Sequence, residues 1–205
     1  MELYLIRHGA IQGVQKRQYN GHRDVPLSDI GRAQLSRLAA FLKERIVLDA
    51  IYASDLSRSV ESAGIIAEPQ SLPPTLLPAF RERNFGAWEG MTFDEIAAQD
   101  HDAFYAWARD PLHYSPVGGE STISVSDRVM PALTELRVRH EGQKIALVAH
   151  GGVNRVIICK VLGIQLQNIF RIEQDYGALN IIEFLKEMPL VKLLNFVVED
   201  TRDSL

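Results

Sequence analysis

The sequence predicts a three-layer α/β/α fold with a mainly parallel central sheet. Short apolar runs, too brief for helices, occur at Leu3–Ile6, within "DAIYASD" (Asp49–Asp55) and within "KIALVAHGG" (Lys144–Gly152). Segments with apolar residues at helical spacing follow each of them. Two further runs, "ALNIIEFL" and "LVKLLNFV", are split by "KEMP", the pattern of an antiparallel terminal pair. Strands alternating with helices pack as a parallel sheet covered on both faces.

Each element has a local reason. Leu3–Ile6 is a buried strand bounded by Gly9, and the polar, aperiodic stretch from Gly13 to Pro26 is a long loop. Ser28 offers an N-cap to a helix whose apolar face is Leu35, Leu38, Ala39, Leu42 and Ile46. "DAIYASD" ends in a cap for the next helix, which turns Val60, Ala63, Ile66 and Ala67 inward. "SLPPTLLPAF" carries too many prolines for a helix and is an extended connection. Residues 84–119 are acidic and aromatic and lack lysine. They are read as a helical cap inserted into one domain spanning residues 1–205. A helix from about Thr122 to His140, the third buried strand and a helix over Asn154–Leu162 follow. The polar tail from Glu199 to Leu205 is expected to fray.

Composition narrows the function. A chain of 205 residues buries a sizeable core. A formal charge of −4 speaks against a general nucleic-acid binder, which shows a basic face. The single cysteine, Cys159, lies in an apolar helical stretch, so neither an internal disulfide nor a multi-cysteine metal site is expected. No apolar run reaches the roughly 20 residues of a membrane span, and Met1 leads directly into a strand without a secretory leader. The expectation is a cytoplasmic protein with no membrane or nucleic-acid partner and a homodimer as candidate assembly.

Three elements deliver polar side chains to equivalent places. The first strand ends in Arg7 and His8, the second leads to Arg58 in the first turn of its helix, and the third ends in His150. In a parallel sheet these ends share the edge where open α/β proteins bind ligands. Gly151, directly after the third strand end, is counted with the substrate-binding residues, and two nearby helix N-termini with free N–H groups favour an anion. Paired arginines suit a phosphate. A neutral imidazole is nucleophilic near pH 7, so His8 attacking phosphorus would give a phosphohistidine. Arg7, Arg58 and a protonated His150 would balance the charge on the phosphoryl oxygens. With those cations no metal is called for, and no metal-binding motif or other cofactor site is visible. The leaving alkoxide needs a proton. Glu82 in "FRERNFGAWEG", flanked by Phe80 and Phe85, is the candidate acid, where burial beside a phosphate would favour its protonated form. Glu89 beside Gly90 is the rival, with a structural role favoured for it. His8 is expected to be half-exposed, His22 to line the pocket mouth or lie exposed in the loop, and His101, His113 and His140 to be surface residues.

The blocks "LIRHGA", "YNGHRDVPLSDIGRAQ", "IYASDLSRSVESA", "FRERNFGAWEG", "GGES" and "VAHGGVNRVI" together resemble the histidine phosphatase superfamily, the phosphoglycerate-mutase-like proteins. The resemblance implies that fold and a metal-independent phosphatase. It places the phosphorylated histidine on His8, the clamping arginines on Arg7 and Arg58, the second histidine on His150 and the acid on Glu82. It also implies that Asn20 and Gly21 contact the substrate phosphate. There are departures. Where the family usually has Ser or Thr and Asn, this chain has Ile11 and Val14. At about 1 kcal/mol per neutral hydrogen bond, the two losses predict phosphate binding weaker by one to two orders of magnitude, unless Gln12 or Asn20 substitutes.

The insertion with "FYAWARDP" and the ending "FRIEQDYGALNIIEF" look most like α-ribazole phosphatases of cobalamin assembly, so α-ribazole 5′-phosphate is the expected small-molecule substrate. A broad-specificity phosphatase is the near alternative. A phosphoglycerate mutase is more distant, because no lysine lies between Lys43 and Lys144 and Arg109 stands alone in the insertion. A catalytically weak binding or scaffold module is the reading from another class.

Overall fold

The computed structural model describes residues 1–13, 16, 18–186 and 188–199. Val14 and the tail beyond Glu199 lie outside the described residues.

Strands β1 (Glu2–Arg7), β2 (Ala50–Ala53), β3 (Thr75–Leu76), β4 (Lys144–Ala149), β5 (Leu179–Phe184) and β6 (Pro189–Phe196) form one sheet in the order β3-β2-β4-β1-β5-β6. The first four in that order run parallel, and β5 and β6 join antiparallel. Side chains along β1 alternate between two cores, as a pleated strand demands. Leu3 and Leu5 pack with helices α5 (Thr122–Arg139) and α6 (Gly151–Leu162). Tyr4 and Ile6 pack on the other face with α1 (Asp29–Lys43) and α2 (Ser57–Ala67). The three layers and the mainly parallel sheet are as the sequence predicts.

Ser28 caps α1, its hydroxyl accepting from Gly31 N–H. The cap expected of Asp55 is not there. Leu56 is the N-cap of α2, and Asp55 instead takes both arms of the Arg81 guanidinium. The residue that meets the helix start comes from the loop: Asp24 accepts from Ser57 N–H at 2.9 Å. Helix α6 begins at Gly151, three residues earlier than its apolar period suggests, because the two glycines adopt helical backbone and Asn154 N–H already bonds to His150 C=O.

Residues 84–119 hold two short helices, α3 (Phe93–Gln99) and α4 (His101–Arg109). They gather around a small core of Trp88, Ile96 and Phe104, edged by Tyr19, Phe85, Trp107 and Tyr114. His101 and His113 are exposed, as expected. His140 is not: it is buried, with Nε2 2.7 Å from Tyr52 Oη and Nδ1 2.6 Å from Gln143 Oε1. A histidine just past a helix end looks solvated in sequence, but here the Tyr52 ring of β2 packs edge-on against it. Cys159 is fully buried and free. Among the described residues no helix is long and apolar enough to cross a membrane.

Candidate active site

Register brings the three strand ends together. β4 lies between β2 and β1, with Arg7 opposite Ala149 and Ala53 opposite Val148. His8 and His150 therefore follow directly at neighbouring tips, their ring centroids 5.0 Å apart. A cavity of about 300 Å³ opens over His8, bounded by the sheet edge, α6 and the residue 84–119 segment, and His150 lies beside His8 without lining it.

His8 is only 4% exposed, not half-exposed, because Tyr176 and His150 pack against its ring. Its Nδ1 lies 2.8 Å from the carbonyl of Gly9. A carbonyl only accepts, so Nδ1 carries the proton and Nε2 keeps its lone pair. Burial, with Arg58 and Arg7 adding to it, holds the imidazole well below the usual histidine range. His8 is neutral at physiological pH.

His150 is fully buried, its Nε2 2.6 Å from Ser54 Oγ and its Nδ1 without a partner among the described residues. Burial and the nearby Arg58, His8 and Arg7 push it well below its ordinary value too. The expected protonated His150 is therefore corrected to a neutral ring in this structure. Arginines this close repel a second cation.

Arg58 is almost wholly buried and reaches back over the loop, donating to the carbonyls of Arg23, Asn20 and Gly21. Glu89 takes the amides of the same loop, accepting from Gly21, His22 and Arg23 N–H, and from Phe85 N–H. The loop is thus clamped between a guanidinium and a carboxylate. Gly21 is obligatory there, since a Cβ would stand 1.9 Å from the Arg83 carbonyl. With its N–H and C=O both engaged, Gly21 holds Arg58 and does not line the cavity; Asn20 does line it. His22 neither lines the cavity nor lies exposed: it is half-buried, with Nε2 unpartnered among the described residues. Gln12 is exposed and off the cavity, and Ile11 lines it.

Arg7 donates to the carbonyl of Gln174 and lies 3.7 Å over the ring of Tyr176, and its Nε is buried without a partner among the described residues. Beneath it Gln174, Asn180 and Asn154 form a buried hydrogen-bonded group tied to the carbonyl of Leu5. That network fixes the carbonyl on which Arg7 rests.

Glu82 accepts from Arg83 N–H at 2.9 Å and, through Oε2, from Gly152 N–H at 3.0 Å. Arg128 holds the segment from behind, donating to the carbonyls of Glu82 and Ala79 and pairing with Glu120 of "GGES". The helix N-termini are accordingly less free than the sequence implies, because Ser57 N–H and Gly152 N–H already meet carboxylates of the chain.

Among the cavity residues that sequence reasoning did not single out, Arg155, Arg83, Trp107 and Phe170 bear most on the chemistry. Arg155 sits one helical turn after Gly151, a spacing visible only once α6 is known to start there. Arg83 lines the wall with its donors committed to Glu120, Thr122 and Tyr114. Trp107 and Phe170 meet edge-on at 6.2 Å over the cavity, and Trp107 Nε1 is buried without a partner among the described residues. Nothing in the sequence near either aromatic signals that meeting. Arg109 is exposed and does not line the cavity.

A model of the histidine phosphatase superfamily (branch 1) matches residues 3–197. The chain belongs to the histidine phosphatase superfamily. It is 28% identical over 195 residues to the adenosylcobalamin/α-ribazole phosphatase of Escherichia coli strain K12, across 95% of this chain and 96% of that protein. It is 31% identical to phosphoserine phosphatase 1 of Hydrogenobacter thermophilus, across 95% of this chain and 92% of that one. Among solved structures, the α-ribazole phosphatase of Shigella flexneri superposes with a TM-score of 0.88 at 28% identity, covering 96% of each chain. This histidine phosphatase is an α/β phosphoric monoester hydrolase. Its relatives' names differ in the alcohol that carries the phosphate.

Proposed function

We propose that this histidine phosphatase hydrolyses a small-molecule phosphomonoester in two steps through His8. In the first, Nε2 attacks phosphorus, the P–O ester bond breaks, and Glu82 gives its proton to the departing oxygen. In the second, water attacks the phosphohistidine and its proton passes to Glu82, the N–P bond breaks, and phosphate leaves. Arg7 and Arg58, with Asn20 and Gly151 at the cavity wall, offer N–H donors to the phosphoryl oxygens. The neutral His150, buried beside His8 with Nε2 on Ser54, is the further donor proposed, through Nδ1. One observation carries the reading: the Gly9 carbonyl fixes the His8 tautomer so that a buried, neutral Nε2 faces a site flanked by arginines.

α-Ribazole 5′-phosphate is the substrate we favour. Two observations support it: the likeness to α-ribazole phosphatases along almost the whole chain, and the aromatic wall. Tyr19, Phe85, Trp107 and Phe170 line the side of the cavity away from the sheet. That wall suits a ring-bearing alcohol, and the unpartnered Trp107 Nε1 offers it one hydrogen bond. The cytoplasm is the compartment proposed for this reaction. The test is a panel of α-ribazole 5′-phosphate, O-phosphoserine, 3-phosphoglycerate and p-nitrophenyl phosphate, scored by kcat/KM. A preference of at least about tenfold for the ring-bearing ester is expected. Equal rates on all four make the enzyme a broad-specificity phosphatase, and no turnover of any makes it a binding module.

A further inference from the structure

We infer that Arg155 is a third guanidinium for the transferred phosphoryl group, acting with Arg7 and supplying a contact that Ile11 does not. Arg155 Nη1 and Arg7 Nε both come within 3.3 Å of the point where a Cβ on Gly151 would stand. Both side chains line the cavity. Arg7 Nε is buried and has no partner in the protein among the described residues. Arg155 is anchored at one end only, through Nε to the carbonyl of Ile172 at 2.7 Å. Its Nη2 lies 4.0 Å from Glu173, a distant pairing, and no described residue accepts from Nη1.

Two guanidiniums meeting at one glycine, each partly removed from water, repel each other. Burial and the Arg7 charge both disfavour the charged form of Arg155. Among the described residues no carboxylate forms an ion pair within 4 Å of Arg7, and Glu173 is the one such partner of Arg155. A dianion set between the two relieves the repulsion and satisfies Arg7 Nε together with Arg155 Nη1. Gly151 leaves the space. Where the family resemblance leads one to expect a hydroxyl, the cavity has the apolar side chain of Ile11. A charged donor is stronger than the neutral one it replaces, so the weak phosphate binding expected from Ile11 should not appear.

The inference rests on the phosphate site proposed above, and the test separates the two. Inorganic phosphate is titrated calorimetrically into the wild type, Arg155→Met and Arg155→Lys, with folding checked by thermal melting. In parallel kcat/KM is measured for p-nitrophenyl phosphate, an alkyl phosphate and O-phosphoserine. Arg155→Met should bind phosphate roughly 10- to 100-fold more weakly and lose a similar factor on all three esters. Arg155→Lys, which keeps charge without the fork, should fall between and stands in if the methionine variant does not fold. Unchanged phosphate affinity overturns the assignment. A loss confined to O-phosphoserine also overturns it, placing Arg155 against the leaving group. If the wild type itself binds no phosphate, the site reading fails rather than Arg155.

Discussion

Gly152→Ala isolates the proposed acid without touching it. Gly152 stands in the first turn of α6 and its N–H holds Glu82 Oε2. A Cβ there would lie 2.4 Å from Glu82 Oε1 and 3.2 Å from its Cδ. To regain ordinary van der Waals distance the carboxyl group must retreat by about 1 Å, and a displacement of that size costs about 10²-fold in a positioned reaction. Helical backbone accepts alanine, so the variant should stay folded, which thermal melting checks. The loss should depend on the leaving group. An alkoxide needs the proton that Glu82 supplies, whereas p-nitrophenolate leaves readily without it. Because kcat/KM covers events only up to formation of the phosphohistidine, slower hydrolysis of that intermediate does not enter. The alkyl phosphate should lose about 10²-fold in kcat/KM and p-nitrophenyl phosphate less than about tenfold. Glu82→Gln should show the same asymmetry, enlarged. Equal losses on both esters, or no loss on the alkyl ester, would refute the role of Glu82 as proton donor.

Other outcomes follow from the same geometry. His8→Ala should abolish turnover, and brief incubation of the wild type with labelled substrate should leave an acid-labile, base-stable label on His8; wild-type rates in the variant would exclude it as nucleophile. Chelation by EDTA should leave the rate unchanged, since Arg7, Arg58 and the two histidines already serve the anion, and a loss reversed by Mg²⁺ would contradict that. Both histidines are held neutral in the fold but titrate near 6.5 once unfolded, so below that pH the unfolded chain binds protons the fold does not, and stability falls as pH drops. Denaturant midpoints of the wild type should therefore fall between pH 8 and pH 5.5, and those of His8→Ala should fall less, its share of the acid-side slope being removed; equal slopes would contradict a neutral, buried His8.

The strand tips were legible because their signal is local. An apolar run ending abruptly in Arg7 and His8, or in His150 and two glycines, is unusual enough in itself to mark a pocket floor. The parallel sheet then puts such ends together without any need to know side-chain packing. Arg58 and Glu82 were reachable for the same reason, each lying within a few residues of an element end. What the sequence does not show is contact between distant segments. Tyr176 covers Arg7 from a loop far along the chain, and Trp107 meets Phe170 across the cavity. Tyr176 also packs on the His8 ring, so the burial that keeps His8 neutral draws on a segment far along the chain. Arg155 was lost to a boundary: with α6 started at Asn154, its relation to Gly151 by one helical turn disappears. Glu89 stands at the end of a short helical turn, not at a helix start, and binds amides of a loop more than sixty residues earlier in the chain, a contact that the local sequence does not show.

The way the charges are held fits the anion site proposed for this cavity. Arg7, Arg58 and Arg155 are anchored chiefly by backbone carbonyls: Gln174 for the first; Asn20, Gly21 and Arg23 for the second; Ile172 for the third. Carbonyls fix a guanidinium without cancelling its charge. A carboxylate in the same place would form an ion pair and compete with the phosphate for every donor. The nearby carboxylates are kept from doing so by amides. Glu89 is occupied by four N–H groups and Glu82 by two. Glu120, the acid paired with an arginine behind them, is spent on Arg128, outside the cavity wall. Cations on carbonyls and anions on amides let opposite charges sit within one small site without neutralising each other. Positive charge thus remains for the phosphate, and a carboxyl group remains for the proton.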